Sequence, residues 1–252
     1  MHCMRQLAIV AFYREKPGAL EQLLLACQEQ LQRSLGSAFQ PYALAQVHAT
    51  ILGLERTDSR HNYNFAQLRG EQRFMDLAGL LAFLRTTDQL PFVVQLGGFG
   101  DRDYPFTSRG RRPYARSFLI QGDKAVLMGW PVDPLAKGRA VYPPALDELR
   151  RQGQRYNVLH KYHQSAHDVD NDLYLRLGLL APGAVPAALL TTLTADLRGY
   201  LSIRQPLNLS VGPQQLSLVA YEDERLLPAT TRSWPLDHPD LTPAFLQQLC
   251  QE

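Results

Sequence analysis

The sequence of 252 residues has little cysteine: three residues, widely spaced, with no C-x-x-C pair. This count argues against a disulfide framework and a zinc knuckle, so stability is expected to come from an ordinary hydrophobic core. Cys27 falls among leucines at helical spacing, and we expect it to be buried. The chain lacks both the run of about 18 apolar residues that spans a membrane and the pattern of a signal peptide. We therefore expect a cytoplasmic protein without a membrane segment.

Neither sign of charge is in large excess, because 26 Lys and Arg stand against 24 Asp and Glu. A net charge of +2 is too mild to indicate a nucleic-acid-binding protein by itself, so any anion site must be local. The glycine spacings of Rossmann and P-loop turns are absent, as is the G-x-S-x-G turn of serine hydrolases.

Hydrophobic periodicity predicts strands and helices in alternation, with hairpins among them. The expected strands are 6–13, 46–55, 92–99, 116–121, 125–130, 172–180, 207–211 and 214–222. The expected helices are 18–35, one within 63–87, 143–158, 186–203 and a short one near the end. The order strand, helix, strand, then helix and sheet occurs twice. This order favours an α+β fold with a mixed or antiparallel sheet.

The first candidate for chemistry is the pair His48 and Thr50 in the predicted strand 46–55. Residues two apart in a strand share a face. An imidazole moves protons near neutral pH, and a hydroxyl donates a hydrogen bond to a phosphoryl oxygen. Taken alone, the pattern more often belongs to a histidine that only satisfies a local hydrogen bond.

The order of elements around this pair resembles the two-histidine phosphoesterase superfamily, also called LigT-like. The segments behind the resemblance are VHATILGLE, LPFVVQLGGFG, SFLIQGDKAVLMGWP and QQLSLVAYEDERLLP, within residues 5–228. The resemblance implies two similar lobes around a cleft, each giving one H-x-T or H-x-S strand. It also implies two histidines as base and acid, hydroxyls that hold the phosphate, and a phosphodiester substrate.

The second motif departs from that pattern. Asp172 and Tyr174 stand where the second histidine and hydroxyl belong, and Arg176 shares their face against leucines on the other. A slip of one residue would substitute Asn171 and Leu173 and would point leucines into a polar cleft, so we disfavour it. Either the chemistry is altered or the site binds without turnover.

The loop 101–115 is the second candidate, because it concentrates arginine, glycine, proline and aromatic residues. Guanidinium groups bind phosphate through bidentate hydrogen bonds, and aromatic rings stack on bases. The alternative is a solvated loop whose aromatic residues pack locally. The substrate-binding residues expected in and beside this loop are Tyr104, Ser108, Arg109, Arg112 and Arg116.

The third candidate is the histidine-rich connector HKYHQSAHDVDN, residues 160–171. Three interpretations stay open: a metal site, a replacement for the missing catalytic histidine, and a plain polar connector. No H-E-x-x-H spacing supports a metal, and we expect neither metal nor cofactor. His160 and His163 are kept as expected substrate-binding residues.

Two hypotheses for the function follow. The first is a phosphoesterase acting on a 2′,3′-cyclic phosphate, nucleotide or RNA end, with His48, Thr50, Asp172 and Tyr174 as catalytic residues. The second is a catalytically degenerate module that binds a nucleotide, an RNA end or a protein partner. The expected architecture is one bilobal domain over 1–228, with lobes of roughly 1–140 plus the C-terminal strands and of 141–228. A tail, 229–252, follows with its short helix.

Overall fold

A ten-stranded sheet, antiparallel at every pairing among the described residues, forms the centre of the structure. The computed structural model describes residues 5–58, 60–137 and 140–251. Its strands are β1 (Gln6–Ala11), β2 (Phe39–Pro41), β3 (Ala49–Gly53), β4 (Phe92–Leu96), β5 (Phe118–Gln121), β6 (Lys124–Pro131), β7 (Leu173–Leu180), β8 (Leu207–Val211), β9 (Leu216–Tyr221) and β10 (Arg232–Pro235).

Seven helices accompany the sheet within those ranges, so the fold is of the α+β class. They are α1 (Gly18–Leu35), α2 (Tyr63–Arg69), α3 (Leu77–Thr86), α4 (Pro113–Ser117), α5 (Ala145–Gln152), α6 (Ala187–Ile203) and α7 (Pro243–Leu249). None of these helices combines the length and the apolar character that crossing a membrane requires.

The sheet runs in the order β10-β9-β1-β3-β7-β6-β4-β8, with β2 paired to β7 and β5 paired to β6. This order brings β3 and β7 together at the middle, although about 120 residues separate them in the chain. They share one pair in the ladder, Ala49 with Leu175. The two strands that carry the sequence motifs are therefore direct neighbours.

Alternation along each strand divides the sheet into two faces. On one face the leucines of β7 and the apolar residues of β1 and β3 join a large core with α1, α3, α5 and α6. On the other face lie His48, Thr50, Asp172, Tyr174 and Arg176. The two-residue period thus puts the polar residues of β7 on the face expected from the sequence.

Helix α1 shows why local sequence predicted much of this structure. Leu20, Leu24, Cys27 and Leu31 recur at helical spacing, and all four are buried in the core. The helix ends before Gly36, whose φ of +52° suits a residue without a Cβ. Cys27 and Cys250 are both free thiols; Cys3 lies outside the described residues.

Four parts of the structure differ from the expectation. Helix α4 occupies 113–117, where the sequence predicted the end of a loop and the start of the strand 116–121. The predicted helix within 63–87 is two helices, because Gly70 takes a left-handed conformation and ends α2. Strand β2 is a three-residue strand with no alternation to reveal it. Strand β10 lies inside the supposed tail, where it pairs with β9 and extends the sheet.

Candidate active site

A cavity of about 450 Å³ opens on the polar face of the sheet, above the junction of β3 and β7. Its size lies within the range of small-molecule sites. Charged side chains of both signs line it: Arg109, Arg116, Lys124, Arg150, Lys161 and Arg176, against Glu55, Asp123, Asp170, Asp172 and Glu224. Six cations against five carboxylates give the lining one formal positive charge when its histidines are neutral.

The register of β3 and β7 sets which motif residues meet. Extending the Ala49–Leu175 register by one residue in each direction sets Thr50 opposite Tyr174, and sets His48, which directly precedes β3, opposite Arg176. All four of these flanking residues line the cavity. The chain thus brings a base, a hydroxyl, a phenol and a guanidinium into one small patch.

His48 is held as a neutral imidazole that faces the cavity. Its Nδ1–H donates to the carbonyl oxygen of Gln46 at 2.6 Å, which fixes the tautomer. Its Nε2 makes no hydrogen bond within the described ranges. Burial lowers the pKa of His48 to about 4, and the nearby cations Arg176 and Lys16 add to the fall, although the Gln46 carbonyl opposes it. An unprotonated Nε2 is the form that accepts a proton.

Tyr174 and Arg176 form the other half of the patch. Burial raises the pKa of Tyr174 to about 12, so its phenol keeps its proton at neutral pH. The Arg176 guanidinium donates to the Tyr42 hydroxyl at 3.2 Å and to Glu224 at 3.4 Å. Glu224 also pairs with Lys124 at 3.1 Å. Since one carboxylate serves two cations, the group formed by Arg176, Lys124 and Glu224 carries one net positive charge.

Arg150 of α5 holds the two motif strands at the place where their pairing stops. Its guanidinium is 3% exposed and donates to the carbonyl oxygens of Thr50 and Ile51 on β3. It also donates to the carbonyl oxygens of Asp170 and Asp172, and pairs with the Asp170 carboxylate at 3.2 Å. One buried side chain thereby replaces the missing ladder hydrogen bonds and fixes the distance between the motifs.

The carboxylate of Asp172 is engaged by side chains from the loop 101–115, from α4 and from β6. Its carboxylate accepts from the Ser108 hydroxyl at 2.7 Å, from Trp130 Nε1 at 2.7 Å and from Arg116 at 2.9 Å. Arg116 also donates to the Ser108 hydroxyl at 3.1 Å. Asp172 is therefore the anchor that seats the loop against the sheet, and these donors engage both of its oxygens.

The other loop residues separate into two groups. Arg109 lines the cavity, 3.7 Å from both Asp170 and Asp172, and its guanidinium lies 3.9 Å from the centre of the Tyr162 ring. Arg112 instead points to the surface. Its partners are Asp101 at 3.3 Å and Asp103 at 3.1 Å. Tyr104 packs in an aromatic cluster with Phe99, Phe106, Trp130 and Tyr142. Arg112 and Tyr104 thus lie away from the cavity lining.

The connector histidines form buried pairs with carboxylates. His160 Nε2–H donates to Asp170 at 2.7 Å, and His163 Nε2–H donates to Asp147 at 2.8 Å. Burial and the nearby Arg150 lower the pKa of His160 to about 4, against the pull of Asp170. His160 reaches the cavity wall, whereas His163 lies behind it with no exposed surface. Within the described ranges no group of three His, Cys, Asp or Glu side chains is arranged to hold a metal ion.

Several cavity residues gave no signal in the sequence. Arg150 stands in the helical segment LDELRRQ, which is typical of an exposed surface. Glu55 and Glu224 follow strands, where charged residues usually meet water. Burial raises the pKa of Glu55, which lies above Gly53 in the cavity floor. Arg176 was visible only as a member of the polar face of β7.

Comparisons with known proteins are sparse. No family model matches the sequence, and no curated protein matches it. Among solved structures, the chain is similar to the crystal structure of TT0787 of Thermus thermophilus. The two share 15% sequence identity at a TM-score of 0.42, over 92% of this chain and 95% of that one.

Proposed function

We propose that this protein is a phosphoesterase of the two-histidine type with an altered second motif. Its substrate is a phosphodiester, such as a 2′,3′-cyclic phosphate on a nucleotide or an RNA end. His48 is the general base, and Thr50 donates to a phosphoryl oxygen. Arg109 and Arg116, with Ser108 behind them, form the cationic wall that faces the substrate phosphate or its flanking group.

One observation carries this proposal: His48 and Thr50 lie beside Arg176 and Tyr174 within a single cavity. The imidazole has a fixed tautomer with its accepting nitrogen turned away from the backbone. A phosphate placed over Ala49 would meet a proton acceptor, two hydroxyls and a guanidinium. These groups match what phosphodiester hydrolysis needs: a base, hydrogen-bond donors and positive charge.

The strand order supports the bilobal part of the proposal. Along the main path of the sheet, which leaves out β2 and β5, four strands lie on one side of the Ala49–Leu175 pair (β10-β9-β1-β3) and four lie on the other (β7-β6-β4-β8). Each group contributes its innermost strand to the cavity floor. On this division β4–β6 and β8 accompany β7, and β9 and β10 accompany β1 and β3.

The second candidate is a binding module without turnover, and one contact favours it. Asp172, which stands at the position first expected for a catalytic group, has both oxygens engaged by Ser108, Arg116 and Trp130. A module of this kind would hold a nucleotide or RNA end in the same cavity. Because both candidates bind the same ligands in the same cavity, a measurement of substrate turnover is needed to distinguish them.

The test is hydrolysis of a 2′,3′-cyclic nucleoside monophosphate by the wild type and His48→Ala. We expect the wild type to release a phosphomonoester, and His48→Ala to lose about 10²–10⁴ in kcat. The affinity of His48→Ala for the product nucleotide should stay within about tenfold, because the cations and hydroxyls remain. His238→Ala, which removes a surface imidazole paired with Asp240, is the matched control.

Full activity in His48→Ala would overturn the proposal. A wild type that binds the nucleotide without cleaving it, and loses that binding when His48 or Thr50 is replaced, would establish the binding module instead.

A further inference from the structure

The ladder between β3 and β7 has a local two-fold relation that identifies the partner of His48. A two-fold axis through the Ala49–Leu175 pair, perpendicular to the sheet, exchanges residue 48 with 174 and residue 50 with 176. The counterpart of His48-x-Thr50 is therefore Tyr174-x-Arg176. Asp172 lies one further step along the strand, outside this four-residue patch.

We propose that Tyr174 is the proton donor that complements His48, and that Arg176 takes the phosphate-binding place opposite Thr50. This inference rests on the proposed function and assigns the second half of its active site. On that register His48 and Tyr174 occupy one diagonal of the patch, and diagonal neighbours on regularly paired strands lie roughly 7–8 Å apart. Thr50 and Arg176 occupy the other diagonal.

The surroundings of the four residues fit these roles. The positive charge of Arg176 lies near both residues: it helps to lower the pKa of His48, and it opposes the rise that burial causes in the pKa of Tyr174. Its carboxylate partner Glu224 is shared with Lys124, which leaves positive charge for the anion. At neutral pH the imidazole is unprotonated and the phenol is protonated. The pair therefore stands in the states that a base and an acid need at the start of the reaction.

The reaction balances with water as the other reactant. His48 Nε2 takes a proton from water while the water oxygen forms a bond to phosphorus. The ester P–O bond on the opposite side breaks, and the departing sugar oxygen takes the proton from the Tyr174 hydroxyl. The product is a phosphomonoester. The imidazolium and phenolate that remain exchange one proton through solvent and regain their starting states.

Tyr174→Phe is the decisive variant, because it removes the hydroxyl and keeps the ring. On a 2′,3′-cyclic nucleotide we expect kcat to fall by about 10²–10⁴, with the Kd of the product nucleotide changed by less than about threefold. Tyr200→Phe, on α6 with its hydroxyl bonded to Arg204, should leave both values unchanged.

Tyr174→His provides a readout that a structural role would not move. An imidazole also donates a proton, so this variant should regain at least about tenfold in kcat over Tyr174→Phe. Its pH–rate profile should gain a falling limb near the ordinary imidazole pKa of about 6.5, which neither the wild type nor Tyr174→Phe shows. Arg176→Gln should weaken binding of the product nucleotide at least about tenfold.

The outcomes distinguish a failure of the proposed function from a failure of the roles assigned to Tyr174 and Arg176. A wild type that does not cleave the cyclic nucleotide overturns the proposed function and this assignment with it. A wild type that cleaves it while Tyr174→Phe keeps full activity overturns the assignment alone. Equal activity of Tyr174→Phe and Tyr174→His, without the new limb, overturns the proton-donor role, and unchanged nucleotide binding in Arg176→Gln overturns the role of Arg176.

Discussion

Replacing Arg150 by methionine tests whether one buried guanidinium sets the spacing of the two motif strands. Met keeps most of the length and apolar volume of the side chain but donates no hydrogen bond. The change leaves four carbonyl oxygens, those of Thr50, Ile51, Asp170 and Asp172, without this donor. It also takes the buried guanidinium away from the Asp170 carboxylate, which is 4% exposed and keeps the His160 imidazole at 2.7 Å and the half-exposed Arg109 at 3.7 Å.

The expected cost follows from these contacts. Removing one partner of a buried ion pair typically costs about 3–5 kcal/mol, because the remaining charge is uncompensated. The orphaned carbonyl groups add to this unless water reaches them. Since domains are stable by about 5–15 kcal/mol, Arg150→Met should fold but be markedly weakened. With a urea slope of about 3 kcal/mol/M, its midpoint should fall by between about 1 and 2 M.

Urea unfolding followed by circular dichroism measures this shift. Arg155→Met, at an exposed site whose guanidinium donates to the Gln152 side chain at 3.3 Å, is the control and should change stability by less than about 0.5 kcal/mol. Adding Asp170→Asn to Arg150→Met should recover part of the loss by removing the stranded charge. A loss below about 1 kcal/mol in Arg150→Met would refute the role assigned to this residue.

Three further predictions concern pH and salt. The rate of hydrolysis of a cyclic nucleotide should decrease at low pH only near pH 4, because the neutral imidazole of His48 is the base and burial lowers its pKa to about 4. A midpoint near the ordinary imidazole value of about 6.5 in the pH profile of kcat/KM would contradict this. The pKa of His160 in the folded state, about 4, lies below its unfolded value of about 6.5, so the unfolded chain binds more protons between these two pH values. The free energy of unfolding should therefore decrease by about 3 kcal/mol as the pH falls from about 6.5 to 4. Urea unfolding at neutral pH and at roughly pH 4.5 should therefore show a smaller pH dependence in His160→Gln than in the wild type, and equal dependence would count against the assignment. Arg109→Ala should reduce the slope of log K against log salt for nucleotide binding by about 0.7–0.9. Arg112→Ala should leave the slope unchanged, because this side chain pairs with carboxylates at the surface. Equal slopes in the two variants, measured by calorimetry, would show that Arg109 makes no contact with the nucleotide phosphate.

Local sequence predicted most of the helices and strands, and the faces of the two motif strands. The spacing of leucines predicted α1, and the alternation of β7 placed Asp172, Tyr174 and Arg176 opposite the buried leucines. Both inferences succeed because side chains return to the same face about every 3.6 residues in a helix and every two residues in a strand. The residues on the buried face are apolar, so apolar residues recur along the sequence with the same period. Through that period the sequence also indicated that His48 and Thr50 share one face.

The tertiary structure decided which of these residues meet. Nothing local to β3 or β7 reveals that Ala49 pairs with Leu175, and that single register selects Tyr174 over Asp172 as the counterpart of His48. Arg109 and Arg112 lie in the same loop and no sequence pattern distinguishes them, yet Arg109 lines the cavity and Arg112 pairs with carboxylates at the surface. Arg150 is buried because strands that are distant in the chain separate beside it and leave carbonyl groups to satisfy. Partners of this kind depend on long-range packing, which leaves no period in the sequence.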